Sequence, residues 1–194
     1  MDTKLIEYIS ALVKRNPGQM DFNEYGEVAD HVSRTESCNL LVFGCGRDSP
    51  LWIRGNQGGR TTFVEHSPRW AGRATLAIQQ ENLTGSFSIE MVQYKTQLVN
   101  WEKDLQGDLS IPSIQRFPSD FDVVLVDAPP GAGKNAPGRL QSLYEASRLC
   151  APKGCIYVHD MHRPVEKAAA RELLVKRAKF KMTRVTQKLH SFRR

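Results

Sequence analysis

The chain has 194 residues, 40% of them hydrophobic and 25% charged, with a formal net charge of +6; this length is enough to bury a core and enclose a ligand cleft within one domain, 1–194. Its apolar runs, such as Val123 to Val126, fall far short of the roughly 20 residues that cross a bilayer, and no signal-peptide core is visible at the N-terminus. These features exclude a membrane span and give the expectation of a soluble, cytoplasmic protein.

The four cysteines, Cys38, Cys45, Cys150 and Cys155, have no C-x-x-C spacing and are too few for a disulfide scaffold, so they are expected to be reduced and buried. The basicity is local. Residues 163 to 194 hold eleven Lys and Arg against two Glu, a segment that is either a solvated helix face or a surface for an anionic partner.

In chain order, Leu5, Ile6, Ile9, Leu12 and Val13 follow Asp2 at helical spacing and predict a helix over 3–14, ended by Asn16-Pro17-Gly18. A weaker helical pattern covers 22–34, so residues 1–36 form a helical N-terminal part. From 37 onward strands and helices alternate. Strands are predicted at 39–43, 61–65, 87–92, 121–126 and 155–159, with helices near 50–55, 68–82, 138–149 and 164–178. Several strands are continuous apolar runs, as expected when both faces of a parallel sheet are covered. The pattern is that of an α/β fold, a Rossmann-like, doubly wound, mostly parallel sheet of about seven strands. Residues 95–118, with Pro112 and Pro118, read as an irregular insertion on the substrate side.

The first strand runs into Gly44-Cys45-Gly46-Arg47-Asp48-Ser49. Glycines there let the backbone approach a ligand, and the next helix presents free N–H groups. The second strand ends in Glu65-His66, placing an acid where it can bind ribose hydroxyls. Ser49 stands where a dinucleotide fingerprint has its third glycine, which favours a mononucleoside-like cofactor such as S-adenosylmethionine over NAD. Gly44, Cys45, Gly46, Asp48, Ser49, Glu65 and His66 are the expected cofactor contacts.

The fourth strand delivers Asp127 and the fifth His159-Asp160-Met161-His162-Arg163 to the same edge. Asp127 is expected to touch both cofactor and acceptor. A base is needed to take a proton from a substrate hydroxyl, and Asp127, His159, Asp160 and His162 are the candidates. Alternatively, Asp127 and Asp160 share a divalent metal cation, an arrangement similar to the catechol-type methyltransferases. Gly131 to Lys134 looks like a phosphate loop but lacks its first glycine and its Ser/Thr.

Several of these motifs together resemble one family. Cys38 to Gly44, Gly46-Arg47-Asp48-Ser49 with Trp52, Gly58-Gly59-Arg60-Thr61, Phe63-Val64-Glu65, Val126-Asp127-Ala128-Pro129, Ala136-Pro137-Gly138-Arg139 and Val158-His159-Asp160 with Arg163-Pro164-Val165-Glu166 are similar to the plant glucuronoxylan 4-O-methyltransferases and their arabinogalactan and irregular-xylem relatives. The likeness runs from about residue 17 to Leu189-His190-Ser191-Phe192-Arg193, which looks like the family's last strand. It departs at Cys45, where the family usually has Leu, and at Arg47, where His is usual, and the family's N-terminal membrane anchor is not expected here.

The resemblance implies a class I methyltransferase that moves a methyl group from S-adenosylmethionine to a sugar hydroxyl, the 4-OH of glucuronic acid in the best-known members. It also matches Gly44, Gly46 and Glu65 to cofactor positions and Asp127, His159 and Asp160 to the active cleft. For a short relative without the anchor, the acceptor is expected to be a sugar acid or a small metabolite, methylated on oxygen or nitrogen. Residues 95–118, 130–138 and 160–165 are expected to select it, with Arg139 and Arg163 pairing to an acceptor carboxylate. Two other readings remain at this stage: an aminopropyl or aminocarboxypropyl transferase on the same scaffold, and a nucleic-acid-binding protein. The second is disfavoured because no aromatic RNA-binding motif accompanies the basic segment. The sequence leaves the oligomeric state open.

Overall fold

A computed structural model describes residues 1–131 and 133–194; Ala132, within the 130–138 segment, lies outside the described residues. The chain begins with two helices, α1 (Thr3–Arg15) and α2 (Phe22–Arg34). Asp2 caps α1 by accepting the Leu5 N–H at 2.7 Å, and Leu5, Ile9 and Leu12 form its buried stripe. Asp21 and Glu24 form a reciprocal capping box at the start of α2, which satisfies two backbone donors left free by the first turn.

Then follow β1 (Asn39–Phe43), α3 (Ser49–Gly55), β2 (Arg60–Glu65), α4 (Pro68–Gln80), β3 (Ser86–Met91), a short α5 (Trp101–Asp104), β4 (Phe121–Val126), α6 (Leu140–Leu149), β5 (Cys150–Val158), α7 (Pro164–Ala170), β6 (Lys181–Arg184) and β7 (His190–Arg193). The strands make one seven-stranded sheet in the order β3-β2-β1-β4-β5-β7-β6. The first five are parallel, and β7 runs antiparallel to both β5 and β6. The expected Rossmann-like α/β sheet is therefore present.

Alternation of side chains along the central strands divides the core in two. Leu41, Phe43, Val124, Val126, Ile156 and Val158 face α6 and α7 with Phe192. Leu40, Val42, Val123, Leu125 and Tyr157 face α1, α2 and α3, where Trp52 is buried beside Tyr25. Both faces are covered, which is why these strands carry almost no polar residues.

Three elements differ from the sequence reading. The helix expected over 164–178 is α-helical only to Ala170 and winds as a π-helix over Arg171–Arg177. Strand β5 begins at Cys150, pairing Phe121 with Cys150 before a register shift. Strand β6 is absent from the prediction because all four of its side chains are exposed and it has no buried alternation to reveal it.

The 95–118 segment is irregular, as expected, yet it is clamped to α6. Gln141 accepts the Lys95 and Thr96 N–H groups at 2.6 and 3.2 Å, and Glu145 accepts the Ile111 N–H at 2.7 Å. Leu105, Leu109, Ile111 and Ile114 then bury against the sheet. The polar residues of α6 thus take over the backbone pairing that the segment lacks.

The aromatic packing gives a direct test of the core. Truncating Trp52, which is 1% exposed, should lower the unfolding free energy by about 3–5 kcal/mol in urea titrations. The same change at Trp70, 38% exposed, should alter it by less than about 1 kcal/mol.

Candidate functional site

The order of the sheet reverses between β1 and β4: the chain goes from β1 outward to β2 and β3, then returns to β4 on the other side. Such a switch point leaves a crevice at the carboxyl ends of the strands. A cavity of about 610 Å³ lies there, walled by the Gly44–Asp48 turn, Glu65 to Ser67, and Asp127, Ala128 and Pro130, with Tyr25, Trp70, Asn16, Pro17 and Gln19 also lining it.

The turn after β1 is shaped by close approach. Gly44 has φ +108°, and a Cβ there would stand 2.7 Å from the Ala128 Cβ, so glycine is required on two grounds. The Ser49 hydroxyl accepts the Gly46 N–H at 2.9 Å and fixes the turn from behind the cavity wall. Glu65, 3% exposed, locks the ends of β1 and β2 together. It accepts N–H groups from Cys45 at 3.1 Å, His66 at 2.8 Å and Ser67 at 2.7 Å, and the His66 Nδ1 lies 2.9 Å from its Oε1.

Asp48 faces the cavity floor, and its carboxyl is pushed up to about 6, chiefly by burial and then by the charge of Asp127. The Cys45 thiol is pushed up to about 12 by burial and by Glu65, so it is a neutral wall residue rather than a nucleophile.

Asp127 stands at the end of β4, its N–H bonded to the Phe43 carbonyl at 3.1 Å. Behind it lies a buried charged cluster. Arg139 donates to the carbonyl oxygens of His159 and Asp127 and to the carboxylates of Asp160 at 2.7 Å and Asp127 at 3.2 Å. His159 places Nδ1 2.9 Å from Asp127 Oδ1 and Nε2 3.4 Å from Glu24 Oε2. Arg163 pairs with Asp160 at 3.1 Å. Burial works against protonation of His159, but its hydrogen bond to Asp127 and the charges of Asp127 and Asp160 hold its pKa above the usual value. Burial works against ionisation of Asp127, yet His159, Arg139 and Arg163 hold its pKa below the usual carboxylate range.

The sequence-derived residues therefore divide. Gly44, Cys45, Gly46, Asp48, Glu65, His66 and Asp127 line one cavity. His159 and Asp160 sit beneath Asp127, and Ser49 supports the turn. His162 is exposed and outside the cluster. Arg139 is turned inward and 4% exposed, so its guanidinium is engaged by the protein instead of being offered to an acceptor. No described residue of 95–118 or 160–165 lines the cavity. Glu24 was missed. Its sequence signals are the Asp21-x-x-Glu24 capping spacing and its place on the apolar stripe that continues through Val28 and Val32.

Asp127, His159 and Asp160 offer donor atoms within 4.8 Å of one another, the grouping expected for a divalent cation. The Arg139 guanidinium already bridges Asp127 and Asp160. A dication would have to displace a positive group that also holds two backbone carbonyls. The expected Asp127–Asp160 metal pair thus does not fit a metal as folded.

Two consequences can be measured. Replacing Arg139 with Ala strands buried carboxylates and should cost about 3–5 kcal/mol of stability. The pH dependence follows from the shifts. The raised His159 pKa gives stability that is full below about pH 6.5 and lost as pH rises through its folded value; the lowered Asp127 pKa gives stability present above about pH 4 and lost as pH falls further. The stability difference between wild type and His159→Gln should therefore be larger at about pH 6 than at about pH 9 in denaturant titrations.

Residues 23–192 match the family described as IRX15/IRX15L/GXM. Glucuronoxylan 4-O-methyltransferase 3 of Arabidopsis thaliana is 31% identical over 185 residues, which cover 84% of this chain and 59% of that protein. Arabinogalactan O-methyltransferase 2 of the same plant is 29% identical, covering 83% of this chain and 63% of its own. The chain thus spans about three fifths of the length of these curated relatives. Among solved structures, the O-methyltransferase TomG from Streptomyces achromogenes, in complex with SAM, superposes with TM-score 0.61 at 16% identity, covering 99% of this chain and 88% of that one. A Podospora anserina methyltransferase bound to SAH gives TM-score 0.62 at 14% identity, covering 100% and 88%. These structural likenesses establish the class I methyltransferase fold, and the sequence match over residues 23–192 establishes that the chain belongs to the IRX15/IRX15L/GXM family.

Proposed function

We propose that this chain transfers a methyl group from S-adenosylmethionine to a hydroxyl of an acidic sugar, a reading carried by one observation: the Gly44–Asp48 turn, Glu65 and Asp127 wall a single cavity at the switch point of the sheet. Its volume, about 610 Å³, lies within the range of small-molecule and cofactor sites. The names of the relatives, glucuronoxylan and arabinogalactan methyltransferases, support a sugar acceptor.

Glu65 is well placed to hold a ribose. Its oxygens are fixed by three backbone N–H groups, yet ionised carboxylate oxygens have about four acceptor sites between them, leaving capacity for a hydroxyl. The backbone from Gly44 to Gly46 allows close approach because no side chain intervenes at either glycine. The bound cofactor supplies a methyl group activated by a positively charged sulfur.

Asp48, which among the described residues has no cationic partner within 4.0 Å, gives the cavity wall a negative charge when ionised, and this would favour a cationic donor over its neutral product. Asp127 accepts a hydrogen bond from the acceptor hydroxyl and orients its oxygen for in-line attack. On methyl transfer the hydroxyl proton would pass to the Asp127 carboxylate, which His159, Arg139 and Arg163 keep ionised. His159 presents Nδ1 to Asp127 and so acts through it, while its Nε2 lies 3.4 Å from Glu24 Oε2 without a hydrogen bond.

S-adenosylhomocysteine at about 100 times its Kd should stabilise the protein by about 2.7 kcal/mol, read as a rise in Tm, and Glu65→Ala should remove that rise. Incubation with S-adenosylmethionine and uronic-acid sugars should yield a product one CH₂ heavier; an aminopropylated product, or no cofactor-dependent rise in Tm, would overturn the reading. Asp48 ionises near 6, and only its charged form attracts the cationic donor. Affinity for S-adenosylmethionine should therefore increase from about pH 5 to about pH 7, and the increase should flatten in Asp48→Asn.

A further inference from the structure

A second hollow, about 530 Å³, lies between α1 and α4 and shares Asn16 and Arg47 with the main cavity. The two hollows therefore adjoin at these residues. Three guanidiniums line the second part: Arg15 from the end of α1, Arg47 from the turn after β1 and Arg73 from α4.

Their charge is not consumed locally. The one acid on this wall, Glu81, accepts the Tyr8 hydroxyl at 2.8 Å and pairs with Arg54 at 2.9 Å. Among the described residues, no carboxylate lies within 4.0 Å of Arg15, Arg47 or Arg73, so none of the three is neutralised by an ion pair. The guanidiniums are nevertheless held in place. Arg15 lies 5.9 Å from the centre of the Tyr8 ring, Arg73 lies 4.8 Å from that of Trp70, and Arg47 donates to Asn16 Oδ1 at 3.3 Å. Cations already positioned by aromatic faces lose less freedom on binding an anion.

We propose that this groove binds the carboxylates of an acidic oligosaccharide, so that sugar units remote from the methylated one are held by Arg15, Arg47 and Arg73. A guanidinium fork matches a carboxylate bidentately, and the side-chain amides of Asn16 and Gln80 on the same wall suit sugar hydroxyls. Single-stranded nucleic acid is the less suitable occupant. It needs free aromatic faces for base stacking, and the Trp70 face is covered by Arg73. The idea that both parts hold one ligand rests on the methyl-transfer reading of the main cavity; the anion-binding claim does not.

The test is calorimetric titration of the whole chain with oligogalacturonides of increasing length at low salt, with the S-adenosylhomocysteine Tm shift measured in parallel. Longer oligomers should bind more tightly than the monomer, and added salt should weaken them. The double variant Arg15→Gln/Arg73→Gln should lose roughly tenfold or more in affinity for the longer oligomers, about 1.4 kcal/mol by the standard conversion, while its cofactor shift stays unchanged. In turnover, the same variant should raise KM for oligomers but not for the monomer and leave kcat alone. Arg15→Lys/Arg73→Lys, which keeps the charge, should recover part of the affinity and serves if the Gln pair folds poorly. Equal binding of oligomer by wild type and variant, no binding of oligomer by wild type, or preference for single-stranded RNA over oligogalacturonide would overturn the proposal. Absence of the cofactor shift, with the arginine-dependent oligomer binding intact, would instead overturn the methyl-transfer reading alone.

Discussion

Arg139 is the interaction on which the site depends. Strands β4 and β5 end side by side, and each delivers an acid, Asp127 and Asp160, into a space with little water. Two carboxylates so close, one buried and one half-buried, would repel one another. The Arg139 guanidinium bridges them and also ties down the carbonyl oxygens of Asp127 and His159. One side chain therefore compensates charge and fixes the geometry of both strand ends. Its own position comes from the turn before α6, whose core-facing Leu140, Leu143, Ala146 and Leu149 anchor the helix to the sheet. Packing on one face thus sets the electrostatics at the edge.

Much of this was legible from residue patterns. The runs Leu40–Phe43, Val123–Val126 and Cys155–Val158 reveal buried parallel strands because nothing charged interrupts them, and their carboxyl ends name Gly44, Asp127 and His159 without further information. What the patterns could not supply was direction. Arg139 and Arg163 read as equivalent cations near the cavity, but only the fold shows that Arg139 points inward. Glu24 is separated from His159 by 135 positions, and its proximity depends on how α2 packs on the sheet, which no local spacing encodes. Likewise, the 95–118 segment looked free to contact substrate because it lacks periodicity; its order comes from Gln141 and Glu145 on α6, which supply hydrogen bonds across more than 30 positions.

The main cavity and its extension carry opposite charge. Asp48 and Glu65 bring acids to the deep end, while Arg15, Arg47 and Arg73 bring cations to the outer groove. This polarity suits a reaction that brings a cationic methyl donor to an anionic sugar, since each would be drawn to its own end and repelled from the other. Arg47 lies where the two parts meet, directly after the glycine turn. The site would then sort its two substrates by charge before any contact with the reacting atoms is made. Position 47 borders both hollows, whereas Arg15 and Arg73 are carried on α1 and α4 and line the second alone.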